Sequence, residues 1–191
     1  MSMPEGPHRD LLDQALAAES EAQRLLLDGR EEEGRALLIE AADAYRRSWE
    51  LAPPASYGRL IGMLKAAVIA GDATDAARFA IAELPGPPPS PPAAYALALA
   101  HLILGEDVAA AAATSVMREG SEAFGRTAAA IVALARRDAT GYGHAVAAIV
   151  EDFEGRDAHL TGVPIADTAL MLQRLAAPRG VEAGLSSTLL P

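Results

Sequence analysis

Cysteine is absent from the 191 residues, which excludes disulfides, thiolate catalysis and cysteine-bound zinc. Aromatic side chains are scarce at 4%, so a core has to be built from Leu, Ala, Val and Ile. Small side chains of this kind let helices approach closely and favour helix pairs over a sheet. Basic residues are also few, 16 against 26 acidic ones, for a formal net charge of -10 and a pI near 4.8. A surface of that sign repels phosphate backbones and anionic lipid, so neither nucleic acid nor membrane is expected as a partner. Lys65 is the single lysine and reads as a bias of composition toward arginine. The longest apolar run, from Pro91 to Leu104, is cut by Gly105-Glu106-Asp107 and is too short to span a bilayer. Residues Met1 to Asp10 carry Pro4, Glu5, Pro7 and His8 in place of a basic region followed by an apolar one. That composition predicts no signal peptide and a cytoplasmic location.

What the chain does have is apolar periodicity. Hydrophobic residues make up 51% and charged ones 22%, enough for a packed core in one domain. Leu11, Ala15, Ala18, Ala22, Leu25 and Leu26 recur at helical spacing and stop at Asp28-Gly29-Arg30. A second helix opens on Glu31, Glu32 and Glu33, which suit the positive end of a helix dipole, and ends before Pro53-Pro54. Its outer face predicts ion pairs from Glu31 to Arg35 and from Arg46 to Glu50. Ser56 is positioned to cap a third helix bearing Tyr57, Leu60, Ile61, Leu64, Ala67 and Val68. Asp72-Ala73-Thr74-Asp75 has the spacing of a capping box for a fourth, which runs to about Leu84.

No helix crosses the proline run 85–92. The pattern resumes from Ala93 to Leu104, turns at Gly105, and continues from Val108 to about Met117. Ser121 marks a cap before a seventh helix with Phe124, Ala128, Ile131 and Ala135. Arg137-Asp138 makes the next turn, and Val146, Ile149, Val150 and Phe153 line an eighth helix. Pro164 is placed in the first turn of a ninth, which runs to about Ala177. The tail 178–191 is irregular, with Leu185, Leu189 and Leu190 able to fold back as a cap. The expected organisation is a single helical domain over 1–191, with residues 85–92 as a rigid spacer between halves 8–84 and 93–177; the alternative for this run is a polyproline II ligand, against which stands its lack of a flanking Arg or Lys.

Two tight turns, at Gly71-Asp72 and Gly105-Glu106-Asp107, lie 34 residues apart. The chain resembles the tetratricopeptide repeat, a helical hairpin of about 34 residues. The likeness rests on Ala41, Tyr45, Ser48 and Pro53 in one unit. A second unit carries Leu60, Met63, Ala67, Gly71-Asp72 and Ala76, and a third Leu97, Gly105 and Ala110. The first-helix Trp, Gly and Tyr of that repeat are missing, and Gly29 and Gly71 stand 42 residues apart. The resemblance implies an all-α fold, a short right-handed α-α solenoid of about nine helices, and a surface for a protein or peptide partner. An odd number of helices leaves one unpaired, which favours a homodimer.

Tyr45 and Trp49 are four apart on one helix and Tyr57 opens the next, so the three can converge at the Pro53-Pro54 corner. They are either core packing there or, with Trp49 exposed, an interface anchor. His101 lies on an otherwise apolar helix and completes the set of candidate partner-binding residues. His101, His144 and His159 are never three or four apart, so no local metal site is predicted, nor any cofactor. Asp157-Ala158-His159 is expected as a solvated loop. Gly141-Tyr142-Gly143 lacks the third glycine and preceding strand of a phosphate loop and reads as a helix start. Ser115, Ser121 and Ser186 have no nucleophile-elbow context.

With no catalytic constellation to assemble, the first expectation is a non-catalytic interaction module for a protein or peptide. The acidic first two helices favour a basic partner. An immunity or inhibitor protein against a bacterial toxin is the alternative, and an enzyme the third reading.

Overall fold

The computed structural model describes residues 6–191; the residues Pro4 and Glu5 used in the signal-peptide reading lie outside them. Among the described residues the chain is all-α, with nine α-helices and no strand. They are α1 (Pro7–Leu27), α2 (Glu31–Leu51), α3 (Gly58–Ala70), α4 (Thr74–Glu83), α5 (Pro91–Ile103), α6 (Asp107–Met117), α7 (Glu122–Arg136), α8 (Ala139–Glu154) and α9 (Asp167–Ala176). A single 3-10 turn, Ala177–Arg179, follows α9. No helix among the described residues is long and apolar enough to cross a membrane.

One turn geometry recurs through the chain. After α1, α3, α5 and α7 a residue in the left-handed region closes the helix: Gly29, Gly71, Gly105 and Arg137. In each case its N–H bonds three residues back and the next N–H bonds five back, as in Asp72 to Ala67 O and Glu106 to His101 O. This double bond satisfies carbonyls that a helix end leaves open, and glycine adopts the conformation without steric cost. Arg137 does the same at φ 54°, where its Cβ is penalised.

Helix starts depart from expectation. Ser56 donates back to Pro53 O instead of capping α3. Asp72 makes no cap for α4, whose N-cap position is Ala73. α4 starts one residue later after its turn than α8 does, so Asp72 stands just before the cap position and Ala73 fills it. Asp138 does cap α8, accepting from Gly141 N–H at 2.9 Å. Pro164 precedes α9 instead of entering its first turn.

Each helix packs on the next in the chain, and α3, α5 and α7 also touch one another in succession. The central member is α5, where every residue from Ala93 to Ala100 is buried. A helix apolar all round has to sit inside. Because α5 packs on both α3 and α4, the helices on either side of the proline run are in direct contact.

The last helix, α9, lies against α3, α7 and α8. It buries Leu170, Met171, Leu172 and Leu175, each contributing about 2 kcal/mol of gross apolar transfer. Polar ties add to this. Arg174 bonds to Glu31 at 2.5 Å, so Glu31 pairs across the fold and Arg35 takes Glu32 and Ala70 O in its place. Arg46 and Glu50 pair as expected, at 3.4 Å. Arg179 reaches Leu102 O and Asp107, while Tyr142 donates to Gln173, which holds the tail through Ala183. Leu185, Leu189 and Leu190 fold back onto the core.

Candidate functional site

Where α9 begins, a charged pair is buried. Lys65 of α3 donates to Asp167 of α9 at 2.5 Å, and their side chains keep only 14% and 13% of their exposure. Glu19 of α1 lies nearby at 4% exposure. Its carboxylate accepts from the Tyr45 hydroxyl at 2.5 Å and from Gln23 at 3.3 Å. Tyr95 of α5 completes the group; its hydroxyl is buried with no hydrogen-bond partner.

Desolvation dominates the electrostatics of this cluster. It pushes the Glu19 carboxyl above the usual carboxylate range, a rise that Lys65 opposes and Asp167 reinforces. Burial likewise raises the phenols of Tyr45 and Tyr95. For Lys65 burial works toward the neutral amine, but Asp167, Tyr95 and Glu19 together outweigh it and hold the ammonium above its ordinary value. At neutral pH the cluster thus presents a charged ammonium and protonated phenols.

The cluster separates two adjoining cavities. One, of about 290 Å³, opens between α3, α5, α7, α8 and the 155–166 segment; the other, of about 320 Å³, lies between α1, α2 and α3. Ile61, Lys65, Leu160 and Asp167 line both. The first has aromatic walls: Tyr95 meets Phe124 edge-on at 6.0 Å, and Arg156 covers Phe153 at 3.7 Å. Asp152 on its rim is held between Arg126 and Arg156. The 155–166 segment is tied to α1, where Ser20 donates to Thr161 O and the Thr161 hydroxyl donates to Gln23. Leu160, at its crest, is 84% exposed.

The residues singled out from sequence are dispersed. Tyr45 faces inward, its hydroxyl on Glu19 and its ring against Gly62. Trp49 packs on Tyr57, ring centroids 5.8 Å apart, and its indole N–H donates to Glu83. Only Tyr45 of the three belongs to the buried cluster. His101 pairs with Glu106 at 2.5 Å, away from both cavities. His144 is exposed, and no group of three or more metal-ligating side chains comes together among the described residues. His159 is not solvated as expected: its ring packs on Phe153, and its Nδ1 is buried without a partner at the aromatic cavity. Tyr142 is fully buried in the first turn of α8.

Lys65, Glu19 and Asp167 were missed as site residues. The signal for two of them is present: Lys65 follows Ile61 by four on the apolar stripe of α3, and Glu19 stands four after Ala15 and three before Ala22. A charge inside an apolar stripe demands a partner. Comparison with protein-family models, with curated proteins and with solved structures gave no match.

Proposed function

We propose that the protein is a non-catalytic binding module, built as a short stack of helical hairpins of the tetratricopeptide kind. Its own α9 covers the inner face of α3 and α7. On this reading the binding site is the pair of cavities left beside Lys65, and the occupant is a small molecule or a single side chain of a partner. An extended peptide along the inner face would compete with α9. The observation that carries the reading is the convergence of Lys65, Asp167, Glu19 and Tyr95, all drawn from different helices, on two adjoining cavities. Buried polar groups of this kind are expensive to maintain without a role.

Binding is favoured over catalysis by the protonation states. A nucleophilic lysine or a phenolate base needs a lowered pKa, whereas Lys65 and Tyr95 are both raised. Hydrolytic or proton-transfer chemistry is the second reading, and Glu19 is what favours it, because burial moves its carboxyl toward the range of a general acid.

The test is a thermal-shift screen of chemically varied small molecules on the whole protein and on Ala123→Trp, which fills the aromatic cavity from its rim. Ligands specific to the site raise Tm of the first and not the second, by an amount that grows with the logarithm of concentration over Kd. A screen in which hits act equally on both proteins contradicts the reading.

A further inference from the structure

The aromatic cavity carries more donors than its own acceptors use. Tyr95 lines the cavity at 7% exposure, and its buried hydroxyl has no partner. Thr168 is near, yet no hydrogen bond of normal geometry joins the two. Lys65 gives one N–H to Asp167 and has three to give. His159 Nδ1 is a further buried atom without a partner on the same wall. Lys65, Arg126 and Arg156 face Asp152 and Asp167 around the cavity, and Arg126 also pairs with Glu122 at 3.5 Å. Between these groups the walls are apolar, formed by Ile61, Phe124, Ile149 and Val163.

Surplus donors, one of them an ammonium, and an apolar enclosure define a ligand by complement. We propose that this cavity binds a small apolar carboxylic acid, its carboxylate received by Lys65 and Tyr95 and its hydrocarbon or aryl body held against Phe124 and Ile149. The proposal rests on the binding reading above and gives it a ligand class. A cation is disfavoured because both cavity acids are already paired, Asp167 with Lys65 and Asp152 with two arginines. A neutral amide of the same shape places an NH₂ donor where the cavity offers donors.

The experiment titrates the full chain with hydrocinnamate and octanoate, with their primary amides, and with the matching amines, reading Kd by calorimetry and the site by NMR shift changes. The acids are expected to bind with shifts confined to α3, α5, α7 and α8, and the amides about tenfold more weakly, the value of one charge-assisted hydrogen bond. Tyr95→Phe is expected to weaken the acids about tenfold without lowering Tm, since it removes a buried hydroxyl that the protein itself leaves unsatisfied. Amides or amines that bind as well as the acids, or a Tyr95→Phe protein with unchanged acid affinity, overturn the proposal while leaving the binding reading standing. Acids that fail to bind also overturn it; the binding reading falls with it only if the broader screen yields no ligand sensitive to Ala123→Trp.

Discussion

Lys65 and Asp167 stand 102 residues apart in the chain and 2.5 Å apart in the fold. The bond ties the third helix to the first residue of the last one. Removing one partner leaves a buried charge uncompensated, a loss of about 3–5 kcal/mol. Lys65→Met and Asp167→Leu are therefore each expected to be strongly destabilising, and the double variant much less so than their sum. A double-mutant cycle by urea denaturation measures this. Additive losses would mean that the two side chains act independently.

Glu19 gives the fold a pH dependence of defined sign. Burial raises its carboxyl, so the folded chain holds that proton more tightly than the unfolded one. The stabilisation is complete below the unfolded value, about 4.3, and is lost as pH rises through the folded one. Glu19→Gln cannot lose a proton, so its stability relative to wild type should improve as pH rises from the ordinary carboxylate range toward neutrality. A difference in Tm that stays constant across this range would show that Glu19 titrates normally.

Two helical glycines should respond oppositely to alanine. A Cβ on Gly62 would lie 2.7 Å from the Tyr45 ring, and the ring cannot retreat without giving up its bond to Glu19. Gly62→Ala is expected to cost about 1–3 kcal/mol. Nothing lies within 4 Å of a Cβ on Gly143, inside α8, where alanine should stabilise by about 0.5–1 kcal/mol. Thermal melts of both variants check the pair.

Arg137 occupies the left-handed position that glycine fills in the three earlier turns. Arg137→Gly relieves that strain and should stabilise by about 0.5–1 kcal/mol after the entropy of the added glycine. A loss of stability would indicate that the arginine side chain is needed at this turn.

Much of the fold was legible in the residues. Apolar stripes and turn glycines located nine helices, and α1 and α2 end within a residue or two of where Gly29 and Pro53 stop them. Helix caps were less legible. The Asp72 box has the right spacing, but spacing does not reveal that α4 starts one residue later and takes Ala73 as its cap. The candidate site was largely hidden because its members come from α1, α2, α3, α5 and α9. Tyr45 was chosen for its aromatic neighbours, while its actual partner Glu19 is 26 positions away. Lys65 was visible as a cation on an apolar stripe, but only the docking of α9 supplies Asp167. Local periodicity contains no information about which helix returns to meet another.

The account depends most on α9 being a permanent layer over α3 and α7, so that the cavities beside Lys65 are what remains for a ligand. Native-state hydrogen exchange tests this directly. If α9 belongs to the core, the amides of Leu170 to Leu175 exchange as slowly as those of α3 and α5, through global unfolding. Exchange of α9 orders of magnitude faster, with α3 and α5 still protected, would make it a detachable segment and contradict the account.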